Sequence, residues 1–158
     1  MYHGEPGDIA RGRALARAFL GRLQSVLGLP VSARAVGTVQ LVVSELLTNA
    51  CKYAPGPCLL DLEVSGGSVR VTVWDSDPVV PVASAAEPGR VGQHGLEIVI
   101  ASCESYEVRR EPVGKSTTAA VVLAEEPATG AAGHAPRVRF ESAGHSHSLM
   151  AATSTVAS

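Results

Sequence analysis

The chain has 158 residues and a formal charge of −2, with 13 basic against 15 acidic side chains. That length suffices for one domain with a proper core and little more. The absence of a basic excess argues against direct nucleic-acid binding, which leaves an electrostatic footprint. No apolar run approaches the roughly 18 to 20 residues that a bilayer crossing requires. Met1-Tyr2-His3-Gly4-Glu5-Pro6 lacks the basic-then-apolar layout of a signal peptide, so a soluble, cytoplasmic protein without a membrane role is expected. Cys51, Cys58 and Cys103 are odd in number and sit in apolar segments, which predicts free buried thiols.

Asp8 is the expected cap of a first helix reaching about residue 27, with Leu15, Phe19, Leu23 and Val26 at helical spacing. Gly28 is its expected stop. Pro30 breaks the chain, and Ser32 is the expected N-cap of a second helix. Val36, Val39, Val43, Leu47 and Ala50 give that helix an apolar stripe. It should stop at Ala54, because Pro55-Gly56-Pro57 cannot continue it.

Two alternating segments follow, Leu60/Leu62/Val64 and Val69/Val71/Val73, joined by Ser65-Gly66-Gly67-Ser68. Period-two alternation around Gly-Gly predicts a hairpin. Residues 77–91 are rich in Pro, Ala and Gly and lack periodicity, which predicts a long loop. Gly92-Gln93-His94-Gly95-Leu96 then opens a short third helix through Ile98, Val99 and Ala101. A second hairpin is expected from residues 106–110 and 117–123, turning at Glu111-Pro112-Val113-Gly114-Lys115. From Ala124 the apolar pattern stops, so residues 8–123 are expected to form the domain and 124–158 an unstructured tail. This order predicts an α+β two-layer sandwich, with helices packed on one face of a mostly antiparallel sheet.

Three segments carry candidate chemistry. Glu45 and Asn49 lie four apart in Ser44-Glu45-Leu46-Leu47-Thr48-Asn49-Ala50-Cys51-Lys52, one above the other on a helix and off its apolar stripe. A carboxylate, a carboxamide oxygen and the Lys52 ammonium at that spacing can hold a hard metal ion and the phosphates it carries. Taken alone, the segment is better explained by a solvated polar face. Asp75 ends the second strand, where a buried carboxylate can accept the exocyclic amine of adenine. Gly92 and Gly95 flank a helix start, where backbone N–H groups can approach phosphates. Gly114-Lys115-Ser116 is not a P-loop. That pattern needs a glycine where Arg109 stands and a helix afterwards, whereas Thr117 onward alternates like a strand.

In this order the segments resemble the ATP-binding domains of the GHKL superfamily, which includes gyrase, the large heat-shock chaperone, histidine kinases and mismatch-repair ATPases. Within it the chain is most similar to the bacterial anti-sigma-factor serine/threonine kinases of the short actinobacterial type. The resemblance covers about residues 8–123. It implies that Glu45 is the catalytic base and that Asn49 holds Mg2+, with Lys52 beside them. It also implies that Asp75 contacts the adenine of ATP and that Gly92, His94, Gly95 and Leu96 contact the phosphates. A late box falls on Gly114, Lys115 and Thr117. The second box of the family reads Asp-x-Gly-x-Gly, yet here it is Asp75-Ser76-Asp77-Pro78-Val79, without glycine. The implied activity is transfer of the γ-phosphoryl of ATP to a Ser or Thr of an anti-anti-sigma-type antagonist protein. The implied partners are that protein and a sigma factor, with homodimerisation through the first helix. The alternative, favoured by the missing glycines, is a nucleotide-dependent partner-binding module without turnover.

Overall fold

A computed structural model of the chain describes residues 1–5, 7–54, 56–79, 94–124 and 137–141. Its elements are α1 (Asp8–Ser25), α2 (Ala33–Tyr53), β1 (Leu59–Ser65), β2 (Ser68–Asp75), α3 (His94–Ser102), β3 (Ser105–Arg110), β4 (Lys115–Val122) and β5 (Arg137–Glu141). The Ser32 hydroxyl accepts from the Ala35 amide at 3.0 Å and starts α2, satisfying one of the donors a helix start leaves open. From that cap, Val39, Val43, Leu47 and Ala50 recur on the buried side with Val42 and Leu46. Val36 is partly buried.

α1 buries a stripe that keeps Leu23 and, in part, Phe19 of the four large residues expected, but not the other two. Gly12, Ala16, Leu20 and Leu23 face inward, while Leu15 and Val26 are exposed. The reason is close approach. A Cβ on Gly12 would collide with Leu47 and crowd Val43, so α1 meets α2 through its smallest residues. Nor is Asp8 the cap: Gly7 holds that position without a side-chain bond. Asp8 is the first helical residue, and its carboxylate accepts from the amides of His3 (2.7 Å) and Glu5 (3.0 Å) and pairs with Arg11. This ties the N-terminal residues to α1, and Tyr2 pairs with Cys58 in a single antiparallel bridge. Gly28, at φ +62, turns the chain so that the Leu29 amide bonds the Leu23 carbonyl at 3.0 Å.

The first hairpin has the expected register. Leu60 lies opposite Val73, Leu62 opposite Val71 and Val64 opposite Val69. Gly66 and Gly67 both have positive φ, as a two-residue turn matching the strand twist demands. The sheet order is β1-β2-β4-β3-β5. β4 inserts between β2 and β3, antiparallel to both, and α3 makes the crossover. Val69, Val71, Val73, Val108, Ala119 and Val121 form the sheet's share of the core. α2 lies on β2 and β4 and packs against both α1 and α3. Three helices on one face of the sheet make this an α+β sandwich.

The expectation of an unstructured tail from Ala124 is corrected at one place. Arg137–Glu141 forms β5, parallel to β3, with Tyr106 opposite Val138 and Val108 opposite Phe140. Without β5, β3 would be an edge with unpaired backbone groups, a template for a further strand. The rest of the expected tail, 125–136 and 142–158, lies outside the described residues, as do 80–91 of the expected long loop and Gly92 and Gln93 of the expected helix start. Cys51, Cys58 and Cys103 are free, the latter two buried. No helix among the described residues is long and apolar enough to cross a membrane.

The Gly12 contact yields a paired test within one helix. Gly12→Val should lower the unfolding free energy by roughly 1–3 kcal/mol through overpacking. Gly21→Ala, at a position where a Cβ meets nothing, should raise it by roughly 0.5–1 kcal/mol. Urea denaturation reads both, and unchanged stability in Gly12→Val would disprove the tight crossing.

Candidate functional site

The alternation of β2 carries Asp75 onto the same face as Val69, Val71 and Val73, so its carboxylate enters the helix-facing layer at the strand's end and is only 7% exposed. The strand neighbour Trp74 points to the other face. In the β2/β4 register the residue opposite Asp75 is Lys115, which is 9% exposed. Its ammonium donates to Asp75 Oδ1 at 3.0 Å, to Asp77 Oδ2 at 3.0 Å and to the Asp77 carbonyl at 3.3 Å. The Asp77 amide donates to the same Asp75 Oδ1 at 2.9 Å. One ammonium is thus held between two carboxylates, which a partly dehydrated lysine requires.

Two glycines let the chain close around this end of β2. Gly114 has φ +78, and a Cβ there would collide with the Asp75 carbonyl, so the β3–β4 turn can rest on β2 only through glycine. On the other side the Gly56 amide donates to Ser76 Oγ at 3.2 Å, tying the segment after α2 to the residue after Asp75. Cys58 is also near. Burial pushes its thiol up to about 11, with the neighbouring Cys51 and the Asp75 charge adding to the rise.

On α2, Glu45 and Asn49 are half-buried and lie off the core stripe. Glu45 meets the first turn of α3, since a Cβ on Gly95 would collide with its carboxylate. The two motifs that sequence places fifty residues apart are therefore in contact. Leu96 packs against the core, and Thr117 is buried on the helix-facing side of β4, opposite Val73 and Val108. Lys52 is exposed, its ammonium 5.1 Å from the centre of the Tyr53 ring; among the described residues no ion pair joins it to Glu45. Gly92 lies outside the described residues, and of His94 the backbone alone is described, as the first residue of α3.

These residues fit the groups that the resemblance implies. Asp75 offers a desolvated acceptor for an amine. The start of α3, with Gly95 as its second residue, is the helix end whose dipole attracts an anion. Glu45 and Asn49 supply the hard oxygen donors that magnesium prefers. A shallow hollow on the sheet's other face, lined by Ser68, Arg70, Glu104 and Glu107 among others, contains none of these residues. Sequence reasoning found Asp75 and Glu45 but assigned Lys115 and Asp77 no specific contact. The signal for that pair was the second acid two residues after Asp75, on the strand end facing Gly114-Lys115.

The carboxylate pair makes a signed prediction for pH. Burial raises the Asp75 carboxyl above 3.8, while the Lys115 hydrogen bond and charge and the Asp77 amide pull it back part of the way. For Asp77 a smaller desolvation is outweighed by the Val79 amide and by Lys115, so its carboxyl is lowered. A raised folded value means that the native state holds the Asp75 proton longer than the unfolded chain does. Its contribution to stability is therefore present below about 3.8 and declines as pH rises through the folded value. Asp75→Asn removes that decline, so the stability difference between wild type and variant should shift against wild type between pH 4 and 7. Melting curves across that range measure it, and a difference shifting toward wild type would contradict the assignment.

No curated protein matches the chain. Among the solved structures similar to it are two histidine kinase structures. One is the histidine kinase domain of the blue-light activated histidine kinase of Erythrobacter litoralis EL346, at 21% identity and TM-score 0.47, covering 74% of this chain and 60% of that one. The other is that blue-light activated histidine kinase, at 22% identity and TM-score 0.47, covering 74% of this chain and 44% of that one. The chain thus spans less than two thirds of the length of either. The family model of the histidine kinase-like ATPase domain matches residues 6–121. That match takes in α1 through β4, the Glu45/Asn49 face, Asp75 and the start of α3, and the chain belongs to the histidine kinase-like ATPase domain family.

Proposed function

We propose that this ATPase-type domain is a protein kinase of the anti-sigma-factor kind, which transfers the γ-phosphoryl of ATP to a Ser or Thr of a small antagonist protein and also sequesters a sigma factor. The observation that carries the proposal is the contact of Glu45 with Gly95 at the start of α3. It sets a carboxylate beside the helix end suited to phosphates, where a base for an incoming hydroxyl is needed. Asp75 binds the adenine amine at the far end of the site. Glu45 accepts the proton of the acceptor hydroxyl as that oxygen bonds to the γ-phosphorus and the bond to ADP breaks. Asn49, one turn along α2, would hold Mg2+, which when bound would neutralise charge on the phosphate oxygens. The exposed outer side of α1, where Leu15 stands, is the proposed homodimer face.

A second reading, a nucleotide-dependent partner-binding module without turnover, is favoured by one observation. Asp77, Pro78 and Val79 stand where the family pattern has glycine and a flexible hinge, and Asp77 is tied to Lys115. Without glycine at these positions, the backbone there cannot approach a ribose as closely as the family pattern allows.

Two alanine variants separate the readings. Glu45→Ala should leave ATP binding nearly intact while lowering phosphoryl transfer by roughly 10²–10⁴-fold. Asn49→Ala should weaken magnesium-dependent ATP binding, and transfer should fall with it. α2 should survive both changes, since alanine favours helix and neither residue is in the core. Radiolabelled phosphate transfer to a cognate antagonist, run beside magnesium-ATP titrations, reads the pattern. Wild-type protein that binds ATP and its partner without any transfer would sink the kinase and leave the module. Asp75→Ala should cost roughly ten- to a hundredfold in ATP affinity and reduce the preference for ATP over GTP; equal calorimetric affinities would remove Asp75 from the site.

A further inference from the structure

Accepting the reading above, in which Asp75 receives the amine of adenine, we infer that Lys115 is a second specificity-determining residue of the base pocket, donating a hydrogen bond to the ring nitrogen beside that amine.

The argument begins with the edge of the base. Adenine presents a donor, the amine, next to an acceptor, ring nitrogen N1. Asp75 offers acceptors alone. One carboxylate oxygen can take the amine, but the other then confronts N1 acceptor to acceptor, which is repulsive unless a donor lies beside it. The structure supplies that donor. Both described hydrogen bonds to Asp75 fall on Oδ1, and one of them comes from the Lys115 ammonium at 3.0 Å. An ammonium carries three N–H donors. Two make 3.0 Å bonds to carboxylate oxygens, and the third reaches the Asp77 carbonyl at 3.3 Å. That longest bond is the weakest, and a ring nitrogen can take its place. The Lys115 side chain keeps 11% of its surface accessible, so it is dehydrated without being sealed off.

Asp77 explains why the lysine stays there. In the family pattern the position two after the adenine-binding Asp is glycine. Here it is a second carboxylate whose Oδ2 holds the ammonium at 3.0 Å. A lysine facing Asp75 alone would tend to neutralise the acceptor that the amine needs. With Asp77 taking its share, one ammonium serves two carboxylates and Asp75 keeps acceptor capacity. A purely structural brace between β2 and β4 would not need this arrangement, because buried ion pairs are often replaced by apolar pairs at no loss of stability.

The test uses two nucleotides that differ at N1: ATP, and 1-deaza-ATP, in which N1 is a C–H group. Calorimetric titration of wild-type protein should give about tenfold or more weaker binding of 1-deaza-ATP. Lys115→Met, similar in length but without donors, should lose about tenfold in ATP affinity while binding 1-deaza-ATP as wild type does, so that the discrimination disappears. If Lys115→Met weakens both nucleotides equally, Lys115 merely braces the pocket and the inference is overturned. Equal affinity of wild-type protein for the two nucleotides overturns it as well, and that comparison needs no variant to fold. In both of these cases ATP still binds and the nucleotide reading survives. Wild-type protein that binds neither nucleotide would refute the two together.

Discussion

α2 is confined on three sides, and the rest of the domain is arranged around that confinement. α1 crosses it at Gly12, where any side chain would strike Leu47. The sheet presses Val71 and Ala119 into the core beneath it. α3 approaches from the flank at Gly95, where a side chain would strike Glu45. Two of the three contacts are made by glycines, so helix axes and carboxylate come closer than larger residues would permit. What remains of α2 is a narrow polar strip bearing Glu45 and Asn49. The geometry of the site is therefore a consequence of core packing, since moving α1 or α3 outward to admit a larger residue would release Glu45 from its place.

How far the sequence foretold this depends on the kind of signal. The α2 boundaries were legible because Ser32 is a strong cap and proline follows the helix. The first hairpin was legible because six aliphatic residues alternate about Gly-Gly, and they meet pairwise in the register. The stripe of α1 was misread for a physical reason. Periodicity counting weights large side chains, while a close helix crossing is built from small ones, so Gly12 and Ala16 were passed over in favour of Leu15 and Val26. β5 gave no local signal. A parallel edge strand has no turn to announce it, and five residues set in an Ala- and Gly-rich stretch carry too short an alternation to register.

At the candidate site, the shared helix face of Glu45 and Asn49 and the strand-end place of Asp75 were legible from spacing, and the meeting of Glu45 with Gly95 was not, because α3 reaches α2 only through the crossover to β3. The ammonium between Asp75 and Asp77 was equally hidden. It depends on β4 lying next to β2 with Asp75 in register with Lys115, a sheet order that the succession of two hairpins does not imply. The absence of glycine after Asp75 reads in sequence as a loss. In the structure the same position holds a carboxylate with its own ion pair, so the strand end is fixed by charge where the family pattern leaves it free.

This exchange sets the electrostatic polarity of the pocket. At the β2 end, two carboxylates face one ammonium, an environment that is poor for phosphate and suited to the neutral edge of a base. At the α3 end, the helix dipole favours anions. On the proposed reading a nucleotide would be oriented by charge before any close contact forms, base toward Asp75 and phosphates toward Gly95. That orientation would bring the phosphates to Glu45, whose carboxylate they would repel. On the same reading Asn49 would hold a hard cation there, which would supply the positive charge that relieves the repulsion. The carboxamide one turn from Glu45 thus has a physical reason to be neutral: a second carboxylate there would hold the cation more tightly but would restore the charge that the phosphates must avoid.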